Sequence, residues 1–119
     1  MATVILRYTA LFLVVVVVTG LTNSMLGWAG SGNPTKGKSR YKQYCAVCHG
    51  ALGRGDGPMA KATTPPAPRL TSREVREKSD KDLLNVIAEG RGGSMPAWRG
   101  ILNDQELLDM VAYVRSLSG

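Results

Sequence analysis

Cys45-Ala46-Val47-Cys48-His49 is the stretch of this chain whose residue types and spacing could do chemistry. Two cysteines three positions apart share one face of a helical turn. Their thiols can form thioether bonds to the two vinyl groups along one edge of a porphyrin. The histidine that follows places an imidazole within reach of the iron, and a proximal His is the usual protein ligand for haem iron. A Cys-x-x-Cys-His run therefore reads as a covalent attachment site for a c-type haem. Two other chemistries use part of the same spacing. A redox dithiol needs a βαβ pattern around it, and the sequence shows none. Structural zinc needs four ligands, usually Cys or His. The chain holds two Cys and one His, all in this run, so a zinc site would have to borrow a carboxylate.

Haem iron has a second axial position. With no second His in the chain, the candidates are Met, Lys, water or nothing. Met1 and Met25 fall in an apolar N-terminal segment. Met110 falls on an apolar helical stripe, where Met commonly fills gaps. Met59 is only ten residues past His49, on the same side of the ring, and cannot easily reach the opposite face. Met95 lies in Gly92-Gly93-Ser94-Met95-Pro96, an irregular loop far from the motif that can present a thioether over a porphyrin. Met95 is therefore the candidate sixth ligand. His/Met ligation raises the haem potential, and a filled sixth site keeps O₂ and peroxide off the iron. That combination means one-electron transfer rather than catalysis on a small molecule. Trp98 is expected to pack against the ring or its propionates. An axial His usually donates its free ring N–H to a carboxylate or carbonyl, and the Pro58 carbonyl is the candidate acceptor. The sole His is taken, so no Ser/His/Asp triad is possible, and no phosphate-binding loop is present.

These residues must be positioned by a small fold. A chain of 119 residues and net charge +6 holds one domain at most. Arg7 is the only charge before Lys36, and residues 8–21 are almost wholly apolar, with valine at every position from 14 to 18. A positive n-region before a short apolar stretch is the pattern of a secretory signal, and Gly27-Trp28-Ala29 offers small residues for cleavage. An uncleaved anchor needs about 20 apolar residues, which 8–28 supplies only by including Thr19, Gly20, Thr22, Asn23 and Ser24. Either way residues 1–30 act as signal peptide or membrane anchor. The rest lies across a bacterial-type membrane with Arg7 left in the cytoplasm, hence periplasmic, soluble or anchored.

Residues 31–36 read as a polar linker, too polar to pack, and residues 37–119 as the folded domain. Helix is expected from about residue 35 into the motif. Gly37 and Tyr41 share a face, so a second helix is expected to cross at Gly37. The four glycines of 50–57 stop the helix just after His49. Residues 63–69, rich in proline, form an extended wall beside the haem. Thr71 or Ser72 caps a short helix to about Glu77. Ser79 opens another with Gly90 past its end. Asn103 and Glu106 form a capping box for the last helix, on which Leu107, Val111, Val114 and Leu117 recur at helical spacing. That helix is the natural partner for the one carrying Gly37 and Tyr41. The fold class is all-α, with the N- and C-terminal helices packed around one haem.

The Cys45–Gly50 motif, the Gly-x-Gly-Asp-Gly-Pro turn at 53–58, Ser94-Met95-Pro96-Ala97-Trp98 and the closing Ala112-Tyr113-Val114-Arg115 together resemble a bacterial class I cytochrome c. The resemblance covers roughly residues 37–117. It implies the cytochrome c fold around one covalent haem c, Cys45 and Cys48 as thioether residues, and His49 and Met95 as axial ligands. The function it implies is a one-electron carrier in a bacterial respiratory or dehydrogenase chain. The alternative is a membrane-anchored cytochrome c subunit of an oxidoreductase complex. A haem enzyme or gas sensor with an open iron site is a third reading. The excess of Lys and Arg points to redox partner proteins with an acidic docking surface, steered by cations such as Lys36, Lys38, Lys42, Arg54 and Lys61. No basic stripe with interleaved aromatics appears, so nucleic acid is not expected.

Overall fold

The computed structural model describes residues 31–118. The expected signal peptide or anchor, residues 1–30, lies outside them. Five α-helices follow one another: α1 (Pro34–Tyr44), α2 (Ala46–His49), α3 (Arg73–Glu77), α4 (Asp80–Glu89) and α5 (Asp104–Ser116), with one 3₁₀ turn at Ala60–Ala62. Among the described residues there is no strand, only two isolated bridges. No described helix is long and apolar enough to cross a membrane.

Four of the five α-helices, all but α2, start where a short polar side chain can hold their free N–H groups. Asn33 Oδ1 accepts from the N–H of Thr35 (2.9 Å) and Lys36 (3.1 Å), with Pro34 at the first helical position. Ser72 caps α3, Ser79 and Asp82 form a capping box on α4, and Asn103 and Glu106 form one on α5. The hydrogen bonds with Ser79 hold the Asp82 carboxyl below its usual range, and the Asn103 N–H does the same for Glu106. A depressed folded-state pKa contributes stability above the unfolded value, about 4, which is lost as pH falls through the folded one. Thermal melts of Asp82→Asn and Glu106→Gln should therefore lie below the parent at pH 7 and converge with it toward pH 3. Parallel curves would contradict this.

The linker expected at 31–36 is corrected by the structure. Helix starts at Pro34, and the segment is tied to α5, with Gly32 partly buried against it and its other residues exposed. The Asn33 N–H donates to the buried Asp109 carboxylate at 2.7 Å. A Cβ on Gly32 would lie 2.0 Å from the Leu108 carbonyl oxygen. Polar composition misled here because Asp109 satisfies the backbone that packing would otherwise leave unpaired; Gln105 Nε2 also donates to it, at 2.9 Å.

The core is the crossing of α1 and α5, the most extensive helix–helix contact in the described chain. Gly37 makes it possible: a Cβ there would sit 1.9 Å from the Asp109 carbonyl oxygen. Beside it Tyr41, fully buried, meets Tyr113 with ring centroids 5.0 Å apart. Leu107, Val111 and Val114 are buried and Leu117 packs against them, as their spacing predicted. The guanidinium of Arg115 fastens the far end of α5. It donates to Asp80 Oδ1 (2.7 Å), to the Arg76 carbonyl (3.0 Å) and to the Lys78 carbonyl, spanning the end of α3 and the start of α4.

Candidate haem site

The motif occupies the junction of α1 and α2, with Cys45 as the hinge between them. Only one turn of α2 exists, so its carbonyls need partners elsewhere. The glycine-rich loop supplies them: Met59 N–H donates to Val47 O (2.9 Å), Gly57 N–H to Cys48 O (3.2 Å) and Gly55 N–H to His49 O (2.8 Å). The Tyr41 hydroxyl donates to Gly50 O at 2.7 Å, fastening the end of α2 to the core.

His49 is buried, and its Nδ1 lies 3.1 Å from the carbonyl oxygen of Pro68. A carbonyl only accepts, which assigns the proton to Nδ1 and leaves Nε2 free to ligate. The acceptor expected from the sequence was Pro58. The structure instead uses the proline-rich wall: the N–H groups of the 50–59 turn hold α2 by its carbonyls, and the His49 ring meets the 63–69 segment. Burial pushes the imidazole pKa below its ordinary value, against the Pro68 hydrogen bond, so the ring is neutral and ligand-competent.

Cys45, Cys48, His49 and Met95 all border one cavity of about 870 Å³. Its walls come from α1, the 63–68 proline segment, α3, α4, the Met95 loop and α5. The lining is predominantly apolar, including Val75, Leu83, Ile87 and Val114. A large, mainly hydrophobic hollow with a few placed polar groups suits a flat cofactor, and a porphyrin fits the donors present. Met59 is exposed and does not border the cavity, while Met110 is buried and touches it from the core side.

The Met95 loop, irregular by sequence, is a tight turn with defined ends. Arg91 and Met95 exchange backbone hydrogen bonds, N–H to O at 3.0 and 3.3 Å. Gly90 enters the turn at φ +73°, and a Cβ there would meet the Met95 carbonyl oxygen at 2.4 Å. Downstream, the N–H groups of Trp98 and Arg99 donate to Ala88 O at 3.1 and 2.9 Å, capping α4. Trp98 borders the cavity and packs on Tyr44, ring centroids 4.9 Å apart.

The two other chemistries find little support. Burial, with the neighbouring Cys48 second, pushes the Cys45 thiol up to about 12, whereas reactive dithiols and zinc ligands need accessible thiolate. Among the described residues no three His, Cys, Asp or Glu side chains come together as a metal site. The five cations expected to steer partners do not border the cavity; Lys78 and Arg91, which the sequence reading passed over, do. No motif marks them. Their place follows from where α3 ends and the Met95 turn begins.

The sequence profile of the family described as cytochrome c oxidase, cbb3-type, subunit III matches residues 32–114. The chain belongs to this family. It is a cytochrome c domain, all-α, with covalent haem c as cofactor and electron transfer as its function. The cbb3-type cytochrome c oxidase subunit FixP of Bradyrhizobium diazoefficiens is 37% identical over 97 residues, covering 75% of this chain and 31% of that protein. The chain thus spans about a third of such oxidase subunits. Cytochrome c-554(547) of Halothiobacillus neapolitanus is 31% identical and is matched over 99% of its length and 73% of this chain. In structure, the KustC0563 c-type cytochrome superposes with a TM-score of 0.62 at 25% identity, over 70% of this chain and 98% of its own. A chain of the Kuenenia stuttgartiensis reducing HAO-like protein complex superposes at 0.60 with 29% identity, over 69% of this chain and 41% of its own.

Proposed function

We propose that Cys45 and Cys48 carry the thioether bonds to haem c and that His49 and Met95 are its axial ligands. On this reading the domain passes single electrons between protein partners and binds no small-molecule substrate. The observation that carries it is that a neutral, oriented imidazole and a methionine from a distant loop border the same apolar cavity as both thiols. When bound, haem c supplies a ferric–ferrous couple whose potential a Met ligand raises. The chain does the rest. The Pro68 carbonyl fixes the ring of His49. The Arg91–Met95 turn holds the sulfur ligand. Leu83, Ile87, Val75 and Val114 keep water from the cavity, and the rigid α1–α5 crossing limits rearrangement between redox states.

Met95→Ala should abolish the weak absorption band that a methionine sulfur gives ferric haem and lower the midpoint potential. Met59→Ala should leave both unchanged. An intact band in Met95→Ala would overturn the ligand assignment.

The oxidase subunits among its relatives favour a membrane-associated partner on the periplasmic side, with an acidic docking surface drawn to the basic chain. Residues 1–30 would hold the domain there if retained. The intact mass of the purified protein decides between forms: one haem plus residues 1–30 supports an anchored subunit, and one haem without them supports a free carrier.

A further inference from the structure

Apart from His49, the charged residues that border the cavity are Glu74, Lys78 and Arg91. The Lys78 side chain is only 32% exposed, yet among the described residues its Nζ has as carboxylate partner only Glu74 Oε1, 4.0 Å away on a side chain 79% exposed. So long a pair with an exposed partner contributes little. Arg91 makes no ion pair among the described residues. Two cations without close anions thus sit at the edge of an apolar hollow. Lys78 is partly covered, and a covered cation is costly unless an anion faces it; Arg91 is exposed and borders the hollow with no carboxylate beside it among the described residues. Haem carries two carboxylates, its propionates, and is otherwise apolar at its rim.

We propose that Lys78 and Arg91 bind the haem propionates. This rests on the haem reading above. Arg91 then has a second consequence. Its backbone exchanges two hydrogen bonds with Met95, so a guanidinium held on a propionate also fixes the base of the turn that presents the sulfur. Reduction adds negative charge to the haem, and a cation held close in a poorly polarisable site favours the reduced form. Lys78 and Arg91 therefore raise the midpoint potential, and Lys78, at the end of α3, makes no backbone hydrogen bond to His49 or Met95.

The test uses the full haem-loaded chain, with optical redox titration and reduced-minus-oxidised infrared spectra of the carboxylate bands. Lys78→Gln and Arg91→Gln should each keep covalent haem and shift the ferric–ferrous equilibrium constant about three- to tenfold toward ferric; tenfold is 59 mV for one electron. The double variant should shift further, Arg91→Lys should return close to the parent, and the propionate bands should move in each Gln variant. Unchanged midpoints and bands in haem-loaded Gln variants would overturn the proposal while leaving the ligand assignment standing. A parent chain without haem would instead sink that assignment. If Arg91→Gln does not accumulate, Lys78→Gln decides alone, since the Lys78 backbone carbonyl still receives Arg115.

Discussion

The double substitution Cys45→Ala, Cys48→Ala is expected to yield a chain without covalent haem and without a cooperative thermal transition. Both thiols border the 870 Å³ cavity, which α1, α3, α4 and α5 surround. In protein cores, cavity volume costs about 24 cal/mol per Å³. The hollow is partly open to solvent and does not carry that full rate, but leaving its apolar walls without a partner removes much of the apolar burial available to a small domain. The described domain has no disulfide to offset this, because both cysteines belong to the motif. Intact mass reports the lost haem and far-ultraviolet circular dichroism the melt. A haem-free variant that still melts cooperatively near the parent temperature would show that the cofactor is not a structural part of the core.

Gly37→Leu is expected to be the most damaging single change away from the cavity. The first added carbon would fall 1.9 Å from the Asp109 carbonyl oxygen and 2.9 Å from Cβ of Tyr113. Both obstacles belong to α5, and the nearer is backbone, so no rotamer relieves the clash and the helices must separate. Separation also unpacks Tyr41 from Tyr113 and draws the Asn33 N–H from Asp109. A loss of about 3 kcal/mol or more follows, or about 15 °C in Tm for a domain of this size. Lys38→Leu, the next residue and exposed, should change Tm by a degree or two. Equal melting of the two variants would mean that the close approach at Gly37 is not needed. Because α1 leads directly into Cys45, haem incorporation should also fall in Gly37→Leu, visible as lower colour per milligram.

Much of this molecule is determined by residues that act on their near neighbours. The Cys-x-x-Cys-His spacing, the caps at Ser72, Ser79 and Asn103, the stop at Gly90 and the apolar stripe of α5 all work within four or five positions along the chain. A linear sequence displays such relations openly. The crossing at Gly37 was legible too, because a glycine inside a helical pattern often marks a close backbone approach. What the tertiary structure alone decided are pairings across long separations whose chemistry is generic. Any of several carbonyls could receive the His49 N–H, and the fold selects Pro68, 19 positions away, over Pro58. Any acid could satisfy the Asn33 N–H, and Asp109, 76 positions away, does so, tying an apparent linker to α5. The cations that face the cavity are Lys78 and Arg91 rather than those that merely make the sequence basic. A backbone carbonyl or a lysine has no signature of its own, so its role is set by the neighbour that folding brings to it.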